Sequence, residues 1–275
     1  LSILRDLARK KLAELQTVSS VDEDLFDFVV KVNPTYTRPD HFLDTLQDLE
    51  ACLGKGKQRI CISAPPRHGK SDLLFHLIAR YLVDNPTKLV AYAGYGAKMA
   101  ESKSRTIREY FLRAGGQLST DSKAAHEWRT TQGGGLMAVG VEGPLTGFGI
   151  SLLVIDDPYR SRAEAESATI RENIEDWWRS VARTRLEPGG SICITHTRWH
   201  PDDLIGHLKD MPGWKYYNFP AITPDGEALW PERFSIDDLN EIRREVGEYD
   251  WAALYMGAPR PRGGALFSGI HTYDD

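Results

Sequence analysis

Short, almost wholly apolar runs alternate along this chain with longer stretches in which apolar residues recur at helical spacing. The apolar runs are RICISA (59–64), KLVAYAG (88–94), LMAVGV (136–141), SLLVIDDP (151–158) and SICIT (191–195). Runs of this length, bounded by turn residues, read as strands buried on both faces. Between them, DLLFHLIARYLV after Ser71 predicts a helix that stops at Asn85-Pro86. Residues 97–113 predict a helix rich in Arg and Lys, and 168–186 a long helix. Ahead of the first strand, Leu4, Leu7, Leu12 and Leu15 predict a surface helix within residues 1–16. Residues 17–31 predict a second helix, broken by Asn33-Pro34, and 40–52 a third, ending at Gly54. Buried strands alternating with helices predict an α/β fold, a mostly parallel sheet sandwiched by helices with right-handed crossovers.

Composition narrows the class. The 275 residues carry 34 Lys plus Arg against 39 Asp plus Glu, a formal charge of −5, with 41% hydrophobic and 27% charged residues. That balance excludes a disordered chain, a collagen and a coiled-coil rod. No apolar run approaches the ~18 residues of a membrane span, so no membrane role is expected. Cys52, Cys61 and Cys193 are an odd number without CxxC spacing. They predict reduced thiols in a cytosolic compartment and no structural zinc. The acidic charge argues against coating nucleic acid through global positive charge and leaves a local basic groove open.

The first chemistry lies in Ala64-Pro65-Pro66-Arg67-His68-Gly69-Lys70-Ser71, which follows one predicted strand and opens a helix. This is the context of a phosphate-binding P-loop. Backbone N–H groups of Pro66-to-Lys70 turn and helix N-terminus would converge on phosphate, with Gly69 permitting close approach. Lys70 would neutralise the β- and γ-phosphates of ATP, and the Ser71 hydroxyl would ligate Mg²⁺. Ala64 stands where a first glycine is usual. Arg67, inside the loop, either senses the γ-phosphate or faces solvent.

LLVIDDP (152–158) is the matching acidic element. In a P-loop ATPase, a buried strand ends in an Asp that holds Mg²⁺, and a neighbouring carboxylate orients the attacking water. Asp156 fits the first role and Asp157 the second; the alternative is a turn or helix cap. SICITHTRWH (191–200) brings a third buried strand to the carboxyl edge of the sheet, where ligands bind in open α/β folds. Thr195, His196 and Thr197 could report the γ-phosphate. Arg198 either reaches phosphate or DNA, or pairs with Asp202 or Asp203.

With these segments in hand, the chain resembles the large terminase subunit of tailed double-stranded DNA bacteriophages, in its N-terminal packaging ATPase domain. APPRHGKS, GPLTGFG before LLVIDDP, the AESATIRENIEDWW helix, THTRWHPDDLIG and ALWPERF carry the resemblance, over roughly residues 35–267. It implies a P-loop NTPase fold of the additional-strand type with a small lid subdomain. It implies a motor that hydrolyses ATP with Mg²⁺ to move double-stranded DNA into an empty capsid. Its partners would be the portal protein, the small terminase subunit and its own copies in a ring, acting in the host cytoplasm at the procapsid portal vertex. Lys70, Ser71, Asp156 and Asp157 take the roles above, and Thr195, Thr197 and Arg198 belong to the coupling segment. YTRPDHF (36–42) lies where the family contacts adenine, making Arg38 and His41 candidate base or ribose contacts. The implied division is an N-terminal helical segment (1–34), the ATPase domain with its lid (35–258), and a linker (259–275).

Two departures qualify the match. TGFG puts Phe148 where many relatives have Arg, removing one candidate arginine finger. Arg129, ahead of a Gly-rich segment expected to be flexible, becomes the favoured finger, with Arg105 as another candidate. The family's C-terminal nuclease needs about 150 residues, which are not here. The expectation is a chain without nuclease activity, trimmed to the ATPase domain. Basic stripes at Lys98, Lys103, Arg105 and Arg108, and at Arg179, Arg183 and Arg185, are candidate DNA contacts or solvated faces. The rival readings are another P-loop enzyme, such as a helicase-like ATPase or a kinase, or a nucleotide-binding scaffold.

Overall fold

The computed structural model describes residues 24–261 apart from 55, 146 and 148. The helix expected within residues 1–16, Phe148 and most of the 259–275 linker lie outside the described residues.

Helix α1 (Leu25–Val32) opens on a capping box at Asp24 and ends at Asn33. A 3₁₀ turn (Asp40–Phe42) leads into α2 (Leu43–Gly54). Then come β1 (Arg59–Ser63), α3 (Lys70–Asp84), β2 (Leu89–Gly94) and α4 (Ala97–Arg113). Strands β3 (Leu118–Lys123), β4 (Glu127–Thr130), β5 (Gly135–Gly140) and β6 (Ile150–Asp156) follow. The second half holds α5 (Arg162–Glu166), α6 (Ala168–Trp177), β7 (Leu186–Thr195), α7 (Leu204–Leu208), β8 (Lys215–Asn218) and α8 (Ile236–Asp250).

The eight strands form one sheet in the order β3-β4-β5-β2-β6-β7-β1-β8. From β5 to β8 every neighbouring pair is parallel; β3 and β4 add an antiparallel edge. Strand β7 lies between the P-loop strand β1 and the acidic strand β6, which is the expected additional-strand arrangement.

Strand periodicity sorts the core into two layers. Leu152 and Val154 of β6 join Val90 and Tyr92 of β2 and Ile60 and Ile62 of β1 beneath the face covered by α1–α4. Leu153, Ile155, Ala91, Ala93 and Cys61 point to the opposite face, under α5, α6 and α7. A third, smaller core gathers Ala221, Ala228, Leu239 and Trp251 around α8. Cys52, Cys61 and Cys193 are buried free thiols.

Three segments depart from the expected pattern. The helix expected over 168–186 is regular only to Trp177, then widens into a π turn (Trp178–Ala182) and a 3₁₀ turn (Arg183–Arg185). Both tryptophans are buried there: the Trp177 indole N–H donates to the Gly143 carbonyl at 2.8 Å, and Trp178 meets Trp214 edge-on. The β3–β4 hairpin was not expected, and the Gly-rich segment after Arg129 is not a loose loop. Gly134 and Gly135 donate to the carbonyls of Pro86 and Lys88, and a Cβ on Gly134 would lie 2.4–2.7 Å from that backbone.

Candidate active site

Register brings the chemistry to one edge. Ile62 of β1 pairs with Thr195 of β7, Thr195 with Asp156 of β6, and Asp156 with Gly94 of β2. The four strands therefore end level, and the loops carrying Pro66–Ser71, Asp157 and His196–Arg198 leave side by side.

The P-loop turn contains two left-handed residues, Arg67 (φ 62°) and Gly69 (φ 87°), ahead of the first turn of α3. Gly69 is needed for its backbone, since an added Cβ there would find only ordinary contacts with Trp230 and Pro39. The turn is braced from behind. The His68 ring donates Nδ1–H to the Pro66 carbonyl at 2.9 Å and stacks on Phe234 at 4.9 Å. His41 donates Nε2–H to the His68 carbonyl at 3.1 Å, and its ring lies 5.3 Å from Trp230. Burial lowers the pKa of His68 and takes that of His41 down to about 4, so both rings are neutral at neutral pH.

Asp156 is fully enclosed. It accepts from the Ser71 hydroxyl at 2.9 Å and from the Tyr92 hydroxyl, beneath it on β2, at 2.8 Å. Burial first, then the adjacent Asp157 charge, raises its pKa to about 7. Asp157 adopts φ 44°. Its Oδ2 lies 3.5 Å from Lys70 Nζ and its Oδ1 accepts from the Thr197 N–H at 3.1 Å. Its own N–H donates to the Thr195 carbonyl at 2.9 Å.

These groups suit a hard divalent cation. A buried carboxylate crowded by a second negative charge, with a hydroxyl 2.9 Å away, is an oxygen donor set short of positive charge. No cluster of three or more His, Cys, Asp or Glu with metal-binding geometry occurs among the described residues. A magnesium ion would need only one or two protein oxygens, the rest of its shell being water and phosphate.

The third element locks to both neighbours. Thr195 donates its hydroxyl to the Ile62 carbonyl at 3.0 Å, and Thr197 to the Ala64 carbonyl at 3.4 Å. His196 donates Nδ1–H to the Thr197 carbonyl and accepts at Nε2 from the Ile205 N–H, which fixes it as one neutral tautomer. Its burial lowers the pKa in the same sense.

A known family and known structures match this arrangement. The family model described as terminase large subunit, T4likevirus-type, N-terminal, matches residues 61–272. The chain belongs to the large terminase subunit family. No curated protein matches. Among solved structures, the HK97 bacteriophage large terminase superposes with a TM-score of 0.59 at 12% identity, over 86% of this chain and 55% of that one. A mutant of the Thermus phage P74-26 large terminase ATPase domain gives 0.57 at 13% identity, over 85% of this chain and 98% of that one. The large terminase of the thermophilic bacteriophage D6E, in complex with ATP-gamma-S, gives 0.50 at 11% identity, over 77% and 52%. These likenesses are of fold. The chain spans about half the length of the HK97 protein and nearly all of the P74-26 ATPase domain.

The terminase fold distributes the remaining candidate residues unevenly. Arg67 is exposed on the phosphate turn. Arg198, expected either to reach phosphate or DNA or to pair with an acid, does the latter. It is 3% exposed, and its Nε lies 2.9 Å from both Asp203 oxygens. Arg38 is solvent-facing and paired with Asp40, beside the brace rather than in it. Arg129 lies opposite Gly135 at the amino end of β5 and is paired with Glu127 at 2.6 Å. Its strand β4 lies next to the β3 edge, well across the sheet from the P-loop strand β1. Arg105 is exposed on α4.

Three contributors escaped the sequence reading. Tyr92 lies inside an apolar run and nothing in its spacing marks it. Trp230 and Phe234 belong to the ALWPERF segment, singled out only by resemblance. They are what presses the third core against the P-loop.

Proposed function

We propose that this chain is the ATP-hydrolysing motor domain of a viral large terminase, which translocates double-stranded DNA into an empty capsid. One observation carries the reading. Lys70, Ser71, Asp156, Asp157 and the 195–198 segment converge at one sheet edge, with β7 inserted between the P-loop and acidic strands.

ATP is the substrate. The turn Pro66–Ser71 cradles its phosphates through backbone N–H groups, and Lys70 leaves Asp157 for the β- and γ-phosphates. Ser71 and Asp156 would hold Mg²⁺, which would supply positive charge to neutralise the phosphates. Asp157, freed from Lys70 and still anchored by Thr197, orients the attacking water and accepts its proton. The Thr197 contact lets a change at Asp157 reach the 195–198 segment. His41, His68, Trp230 and Phe234 brace the turn, and Arg38 and His41 would lie towards the nucleoside. The third core, around Trp251 and Leu239, is the lid.

Arg67, on the turn itself, is the arginine best situated to meet the γ-phosphate within the chain. Arg129 would serve only between subunits of a ring. Duplex DNA, the portal protein, the small terminase subunit and neighbouring copies are the partners of this reading, and the host cytoplasm at the portal vertex is its place. DNA of any sequence must pass, so contacts to the phosphate backbone are expected. The test is phosphate release from ATP with and without Mg²⁺ and duplex DNA. Mg²⁺-dependent release is expected. Phosphate transfer to a small acceptor in place of water would overturn it.

A further inference from the structure

Arg162, at the first position of α5, joins three parts of the molecule that are far apart in sequence. Its Nη1 donates to the Trp199 carbonyl at 2.6 Å, at the end of the segment that anchors Asp157. Its Nη2 is bonded to Asp250 at the end of α8. Its guanidinium lies over two rings, 5.3 Å from the centre of Trp199 and 4.8 Å from that of Tyr249. Glu166, one turn along α5, closes the cluster. Its Oε1 is 3.7 Å from Arg162 Nη1 and accepts from the Tyr249 hydroxyl at 2.7 Å.

The partner helix is built to bend beside this cluster. Within α8, Gly247 leaves helical geometry (φ 79°, ψ 161°), a conformation closed to side chains with a Cβ. Leu239, before the break, belongs to the third core; Tyr249 and Asp250, after it, are held by α5. Trp251 and Tyr255, stacked at 4.8 Å in the following π turn, return the chain to the segment after β8, where the Ala221 N–H donates to the Tyr255 carbonyl at 2.7 Å. The α5 contacts therefore grip Tyr249 and Asp250 just after the Gly247 break, with third-core residues on either side of it, Leu239 before and Trp251 after.

We propose that Arg162 is a positioning residue that transmits the state of the 195–200 segment to α8, with Gly247 as the hinge. This rests on the ATPase reading above. The physical path is continuous: Asp157 to the Thr197 N–H, through the backbone to the Trp199 carbonyl, then through the Arg162 guanidinium to Asp250 and Tyr249. A planar guanidinium with donors in fixed directions can tie a carbonyl and a carboxylate together; a lysine presents a single point charge and cannot hold both in one geometry.

The test compares the 275-residue chain with Arg162→Met, which keeps the apolar stem, and with Asp250→Asn, at the more exposed end of the bridge. Affinity is read with a fluorescent ATP analogue, turnover by phosphate release, and motion by amide hydrogen exchange over residues 236–256 with and without Mg²⁺ and ATP-gamma-S. In the unsubstituted chain, nucleotide is expected to change exchange in 247–256. In both variants that change is lost and kcat falls, while nucleotide affinity and KM stay within about threefold. A side chain with a merely structural role would leave the nucleotide-induced change in place. Persistence of that change in both variants at saturating nucleotide overturns the proposal, as does its absence from the unsubstituted chain when nucleotide is bound. Failure of the unsubstituted chain to bind nucleotide at all would instead overturn the ATPase reading on which this rests. If Arg162→Met does not fold, Asp250→Asn alone decides.

Discussion

Asp157 bridges Lys70 and Thr197: one carboxylate oxygen lies 3.5 Å from the ammonium, the other accepts the Thr197 N–H at 3.1 Å. The lysine proposed to neutralise phosphate and the acid proposed to orient water therefore face each other. Asp157→Asn keeps the shape and the oxygen that faces Thr197 but removes the base. We expect nucleotide affinity to hold and turnover to fall by about 10²–10⁴-fold. A titration with a fluorescent nucleotide alongside a phosphate-release assay checks both halves. Near-normal turnover would remove Asp157 from the chemistry.

Asp156 gives a prediction in pH. Its folded pKa of about 7 lies above the 3.8 of an unperturbed aspartate. The enclosed group contributes most to stability below 3.8, and this contribution is lost as pH rises through 7. A bound dication must displace that proton. Mg²⁺ should therefore bind more weakly below pH 7, by up to about tenfold per pH unit. Thermal shifts with and without Mg²⁺ at pH 6 and pH 8 read this directly, and equal shifts at both would contradict it.

Four histidines work in the other direction. His41, His68, His76 and His196 are held below the usual 6.5 mainly by burial. Each stabilises the fold above 6.5 and loses that contribution as pH falls towards the folded value, which for His41 is about 4. Four such groups outnumber Asp156 between pH 6.5 and 4.5. Melting temperature without metal should therefore fall on acidification across that window. A flat or rising profile would mean that these rings are not buried neutral.

The brace behind the P-loop should matter to nucleotide binding without touching nucleotide chemistry. Phe234→Ala removes the ring stacked on His68 and leaves the turn less ordered. Loss of a buried aromatic costs about 3–5 kcal/mol in a core, and less for a ring at a partly exposed edge. The expected result is weaker ATP affinity with kcat little changed at saturation. A fall in kcat at unchanged affinity would contradict the assignment.

The chain reads well where its periodicity is strong. The strands ending at Ser63, Gly94, Asp156 and Thr195 are dense in β-branched and aliphatic residues because both faces are covered. Their ends coincide with the candidate site, so Lys70, Ser71, Asp156 and Asp157 could be singled out as candidates from the motifs that follow the apolar runs. The β3–β4 hairpin was illegible because LSTDSK and EWRT have too few apolar positions to set a period. β4 is held in the sheet by β5, and β3 pairs only with β4, through an irregular register. Arg198 could be read either way because its partner, Asp203, is a neighbour in sequence but the burial that makes the pair binding is tertiary. Tyr92, Phe234 and Arg162 act across separations of 64, 166 and 37 residues, to Asp156, His68 and Trp199 respectively, and no local pattern announces such contacts.

The central claim is that a triphosphate rests on the turn ending at Lys70. Calorimetric titration of ATP with Mg²⁺ into the chain and into Lys70→Ala tests it most directly. The account predicts saturable binding by the unsubstituted chain and at least a hundredfold weaker binding by the variant. Indistinguishable isotherms from the two proteins would contradict it.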